Sequence, residues 1–141
     1  MLKEKAVENF LKKGYSCSES VALAAYECGL TKENLLTVSG SFSGAMSSGC
    51  LCGAVAASQL VIGHRYGREN AYNSTENVRA IAKELIDRFK AKHKVTCCRV
   101  LTANFDFHSP ERKQHCSTMV ADCCDILESL IKEIEEKKTT V

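Results

Sequence analysis

The sequence predicts an all-α fold: one compact bundle of about five to seven helices, with residues 1–141 forming a single cysteine-rich domain. Three observations predict it. Apolar residues recur at three- and four-residue spacing along most of the chain. The breaks between these stripes fall at Gly, Ser, Thr and Asn, residues that cap or end helices. No stretch shows the period-two alternation of a strand. The 141 residues are 45% hydrophobic and 26% charged, which suits a soluble globular chain and not a disordered one.

The first helix carries Ala6, Val7, Phe10 and Leu11, and Gly14 follows as a stop. Ser16 or Ser18 caps a second helix holding Val21, Ala24, Ala25 and Cys28, ended by Gly29. Thr31 caps a short third helix through Leu35, Leu36 and Val38. The Gly/Ser-rich segment Ser39 to Gly49 is too flexible for a stable helix and reads as a loop. A fourth helix runs from about Cys50 to Tyr66, with Gly67 beyond it.

Asn73, with Glu76 three residues on, resembles a capping box at the start of the next helix. That helix is the clearest in the chain: Val78, Ile81, Ala82, Leu85, Ile86 and Phe89 form one stripe. Thr96 caps a short helix with Cys97, Cys98, Val100 and Leu101. Ser109-Pro110 opens the last helix, which runs to about Lys137 and could break near Cys116. Its stripe is Met119, Val120, Cys123, Leu127, Leu130, Ile131 and Ile134; the tail from Glu128 to Lys138 mixes charge signs as a solvated face does, and its apolar stripe could also pair with a second copy, giving a homodimer.

The net charge of +2 gives no reason to expect a nucleic-acid partner. The N-terminal residues alternate charged and apolar types and lack the apolar core of a signal peptide. The densest apolar run, Ala54 to Ile62, is interrupted by Ser58 and Gln59 and is too short to span a bilayer. The expectation is a cytoplasmic protein without a membrane span.

The anomaly is nine cysteines. In a reducing compartment they point to metal ligation or thiol chemistry before structural disulfides. Cys52, with Cys50 close by, stands where the Gly/Ser loop enters a helix. Free N–H groups and the positive dipole end there favour a thiolate, so its pKa should fall. Gly53, Ala54 and Ala57 are small enough for a backbone or a bound cofactor to approach closely. Cys97 and Cys98 follow a basic stretch, residues 79–99, that also favours thiolate, and only one of the pair should face a site.

Cys17 starts a helix. Cys28 lies about 16 Å further along it and cannot share an ion with it. Cys28, Cys123 and Cys124 read as core. Four cysteines thus stand at element starts: Cys17, Cys52, one of Cys97 and Cys98, and Cys116. No Cys-x-x-Cys occurs, so zinc-ribbon and thioredoxin signatures are missing. His64, His93, His108 and His115 read as surface residues, although His108 or His115 could complete a site near Cys116.

At these residues the chain resembles a known family. Gly14-Tyr15-Ser16-Cys17-Ser18-Glu19-Ser20-Val21, then Cys52-Gly53-Ala54-Val55-Ala56-Ala57, Cys98-Arg99, and Cys116 followed by Val120 are similar to the C_GCAxxG_C_C family of redox-active proteins. The likeness covers nearly the whole chain, with Ala57 standing where the family motif has Gly. It implies four key cysteines, Cys17, Cys52, Cys98 and Cys116, with Gly53 and Ala54 beside them.

Three readings follow. The four cysteines line one pocket and hold an iron–sulfur cluster for electron transfer, or Zn²⁺ in a structural role, working with a redox partner protein. Alternatively they cycle between thiol and disulfide without metal, with Cys52 as attacking thiol and Cys98 or Cys17 resolving. In the third reading the chain is a helical accessory protein whose cysteines fill its core.

Overall fold

The apolar stripes become helices in the structure, a computed structural model that describes residues 1–139. In order they are α1 (Leu2–Leu11), α2 (Cys17–Glu27), α3 (Leu36–Ser39), α4 (Gly53–Tyr66), α5 (Glu76–His93), α6 (Cys98–Leu101) and α7 (Pro110–Thr139). Among the described residues no strand forms. The architecture is the expected all-α bundle; residues 140 and 141 of the expected domain lie outside the described ones.

The 30-residue α7 is the spine. It packs against α1, α2, α4 and α5, while α2 lies between α1 and α4. Leu2, Val21, Val55, Ile62, Leu85, Phe89, Val120 and Leu127 are fully buried where these helices meet. The α5 stripe buries Ile81, Leu85 and Phe89. The α7 stripe, Met119 to Ile131, is buried in the chain's own core, with Ile134 packed at its end. Within the tail, Leu130 and Ile131 belong to this core and Ile134 is partly buried against it. No helix among the described residues is long and apolar enough to cross a membrane.

Local chemistry explains where the helix ends differ from expectation. Ser16 caps α2 in a full capping box: its Oγ accepts from the Glu19 N–H at 3.3 Å, and its own N–H donates to Glu19 Oε1 at 3.0 Å. Thr31 starts no helix, because its hydroxyl donates to the Glu33 carbonyl; the Asn34 side chain instead accepts from the Leu36 N–H at the start of the single turn α3. Ser74, not Asn73, accepts from the Glu76 N–H at the head of α5. Cys97, not Thr96, precedes α6, and the Thr96 carbonyl accepts the Cys52 N–H at 2.7 Å. Ser109 accepts from the Arg112 N–H at the start of α7, with Pro110 as first residue. The helix then runs on without a break at Cys116.

Candidate functional site

Cys17 is the first residue of α2, Cys52 immediately precedes α4, and Cys98 opens α6. Cys116 lies within the second turn of α7 rather than at its start, because α7 does not break. All four line one cavity of about 230 Å³, walled by Phe10, Leu101, Phe107 and Met119. Cys52 is 6% exposed, and the other three are half-buried.

The segment between α3 and α4 forms one wall. Gly44, Ala45, Met46 and Ser47 all have left-handed backbone, and Leu51 follows with φ 64°. Such a run costs roughly 1–2 kcal/mol for each residue that carries a Cβ, so it needs anchors. On one side a hydroxyl cluster supplies them: Ser43 Oγ donates to Ser16 Oγ at 2.6 Å, and Ser18 Oγ donates to the Ser39 carbonyl at 2.8 Å. On the other, Arg99 donates to the Ser48 carbonyl at 2.9 Å, and the Cys97 thiol donates to the Gly49 carbonyl at 3.1 Å. The loop is thereby tied to the starts of both α2 and α6, the elements that carry Cys17 and Cys98.

Gly53 lets the cavity close. A Cβ there would lie 2.5 Å from Cys17 Sγ and 2.9 Å from the Phe42 carbonyl oxygen. Ala54 faces the hydrophobic core rather than the cavity, and its contribution is an N–H directed at the Cys52 sulfur. Ala57 is fully buried in the same core.

The expected fall in the Cys52 pKa is not found. Burial, and after it the Cys17 sulfur, pushes this thiol up to about 12, against the opposing N–H groups of Val55 and Ala54. The helix start acts in the expected direction, but desolvation outweighs it. Burial also raises Cys17, opposed by the N–H groups of Gly44 and Ser18, and raises Cys116, opposed by Arg112. The Cys17 and Cys98 sulfurs both act on Cys52 and on Cys116, and Cys98 acts on Cys17.

The four thiols are not equally reachable. Cys98 also faces an open groove lined by Ser47, Ser48 and Arg99. Cys116 also faces a second groove beside Tyr15, His108 and Lys113. Cys17 and Cys52 line the interior cavity and neither of these two grooves.

The remaining cysteines stand apart. Cys50 is exposed, Cys28 packs at the edge of the core, and Cys123 and Cys124 are sealed inside it. His108 lies in the groove that opens onto Cys116, its ring edge-on to Phe107 at 4.6 Å, and the other three histidines are engaged elsewhere. His64 accepts from the Lys32 N–H, His93 pairs with Asp122 at 2.8 Å, and His115 bonds the Leu101 carbonyl and stacks on Phe105. Of the basic residues in the 79–99 stretch, Lys83 pairs with Asp87, Arg88 with Glu84 and Glu133, and Lys92 with Asp122.

Four thiols are the donor set of a zinc or iron–sulfur centre. Yet no three Cys, His, Asp or Glu side chains among the described residues are grouped so as to hold a metal ion. The thiols as arranged line the walls of a cavity and do not fit a closed metal site.

Sequence reasoning missed Phe107 and Arg112. The Arg112 guanidinium lies 4.6 Å over the Phe107 ring, and Arg112 is the only charged residue lining the cavity among the described residues. Its signal in the sequence was its place four residues before Cys116, one helical turn away on the same face.

The model of the family described as “Putative redox-active protein (C_GCAxxG_C_C)” matches residues 15–130. No curated protein and no solved structure matches the chain.

Proposed function

The chain belongs to the C_GCAxxG_C_C family of redox-active proteins, and on that premise we propose that it works by thiol–disulfide exchange at Cys17, Cys52, Cys98 and Cys116. The observation that carries this reading is that four free thiols from four separate elements line one cavity, and two of them open to the outside.

Cys98 is the attacking group, because it lines both the outer groove and the cavity that it shares with Cys17. Its thiolate attacks one sulfur of a partner disulfide and releases one partner thiolate. Cys17, once deprotonated, attacks the Cys98 sulfur of the mixed disulfide and releases the second. Two protein thiols and one disulfide become one protein disulfide and two thiols, with two electrons passing to the partner. Cys52, buried and held protonated, supports Cys17 from inside and is not the first nucleophile. An iron–sulfur or zinc centre is the less favoured reading, since the sulfurs would first have to close on one another.

The test is to titrate the reduced protein anaerobically with oxidised glutathione and map its disulfides. The expected product is a Cys17–Cys98 bond formed with uptake of one disulfide equivalent per chain. Cys98→Ser should abolish it. Bonds confined to exposed Cys50, or none at all, would remove the proposal. Stoichiometric iron with visible absorption in anaerobically purified protein would replace it with the cluster.

A further inference from the structure

Arg112 and Phe107 stand where three concavities meet. Both line the thiol cavity, the groove leading to Cys98 and the groove leading to Cys116. Phe107 is 68% exposed, so its ring forms an apolar rim. Arg99 lines the first groove and Lys113 the second. No carboxylate lines any of the three among the described residues.

On α5, Lys83, Arg88 and Lys92 each have a carboxylate within ion-pair distance, while Arg79 and Lys90 have none among the described residues. Among the described residues Arg99, Arg112 and Lys113 have none. Arg112 donates only to the Phe107 carbonyl, at 3.4 Å, and Arg99 to a loop carbonyl. Neither contact neutralises a charge. A guanidinium at the rim of an apolar cavity, with its fork unmatched, is suited to a carboxylate in a medium where the pair gains more than it would in water.

We propose that Arg112, flanked by Arg99 and Lys113, is an anion subsite that takes the carboxylate of a low-molecular-weight disulfide and delivers its sulfur to Cys98. This rests on the exchange reading above and adds the class of its substrate. The carboxylate sits on Arg112, the carbon chain lies against Phe107, and the disulfide reaches into the groove. Cys98 thiolate then bonds to one sulfur, the S–S bond breaks, and an acidic thiolate leaves to be protonated by solvent.

The experiment compares three symmetric disulfides: 3,3′-dithiodipropionate (anionic), 2-hydroxyethyl disulfide (neutral) and cystamine (cationic). Rates of mixed-disulfide formation at Cys98 are measured by quenched mass spectrometry, each divided by its rate with a free small thiol. The expected normalised preference for the anionic over the cationic reagent is tenfold or more, falling towards unity in 0.5 M salt. Arg112→Gln should remove most of the anionic-to-neutral ratio, and Arg112→Lys should keep much of it, which separates charge from loss of packing. Because ratios are compared, a general change in thiol reactivity cancels. Exchange at Cys98 with no charge preference, or a preference untouched by Arg112→Gln, would overturn the subsite and leave the exchange reading standing. Exchange with none of the three reagents would overturn both.

Discussion

The Cys17 sulfur occupies the space beside the Gly53 backbone where a side chain would otherwise begin, 2.5 Å from the position of a Cβ. The first turn of α4 and the first turn of α2 can meet only because position 53 has no side chain. The Cys-Gly step at the head of α4 is thus a packing requirement that holds two thiol-bearing helix starts together.

Gly53→Ala should therefore destabilise the protein and displace Cys17. The Phe42 carbonyl, 2.9 Å from the added methyl, is backbone and cannot rotate away. Overpacking of this kind costs roughly 1–3 kcal/mol. Urea denaturation would give the stability change, and the alkylation rate of Cys17 relative to Cys50 would report the displacement. A variant as stable as the wild type, with Cys17 unchanged, would mean the contact is not tight.

Stability should fall at alkaline pH. Cys52 titrates at about 12 in the folded chain against an ordinary value of 9.0. Between those values the unfolded chain has released a proton that the folded chain retains, so stability is complete below pH 9 and declines as pH rises through 12. Each such group contributes about 1.4 kcal/mol per pH unit in that window. Buried Cys123 and Cys124 are shifted upward as well and add to the slope. Anaerobic denaturation at pH 7, 9 and 10.5 should show the decline, and Cys52→Ala should make it shallower by one group's share. A flat profile above pH 9 would contradict burial as the cause of the shift.

Alkylation of the reduced, folded protein should sort the thiols by access. Cys50 is exposed, Cys98 and Cys116 each open to a groove, Cys17 and Cys52 line the cavity and neither groove, and Cys123 and Cys124 are 0% exposed. Iodoacetamide with peptide mass spectrometry should modify them in that order, with the last pair reacting only on unfolding. Cys52 reacting ahead of Cys98 would reverse the assignment of the attacking thiol.

The helices were legible because their signals are local. The Val78 to Phe89 stripe needs nothing beyond its own spacing to mark a buried face, and Ser16 with Glu19 three residues on marks a start. Cys123 and Cys124 were legible as core for the same reason. The cavity was not legible from spacing, since Cys17, Cys52, Cys98 and Cys116 meet only after α2, α4, α6 and α7 have packed; the family likeness singled out these residues. The Cys52 pKa was misjudged because sequence shows the helix start but not the burial that outweighs it. Arg112 was missed because its charge matters only where Phe107 folds beneath it. The loop was recognised as irregular, but its left-handed path depends on Arg99 and Cys97, some fifty residues away.

That loop supplies the last prediction. Ser47 has φ 53° and ψ 19°, is exposed, and forms no side-chain hydrogen bond among the described residues. Ser47→Gly should relieve left-handed strain worth about 1–2 kcal/mol while adding about 0.5–1 kcal/mol of unfolded-state entropy. The balance is a gain of up to about 1.5 kcal/mol, readable as a higher urea midpoint with an unchanged slope. The neighbouring Gly44, whose φ is 61° and whose N–H points at the Cys17 sulfur, should respond in the opposite sense. Gly44→Ala adds the strain that Ser47→Gly removes, and should both lower stability and alter the alkylation rate of Cys17. If Ser47→Gly lowered stability instead, the left-handed path of residues 44–47 would not be the one the chain adopts, and the wall it gives the thiol cavity would have to be redrawn.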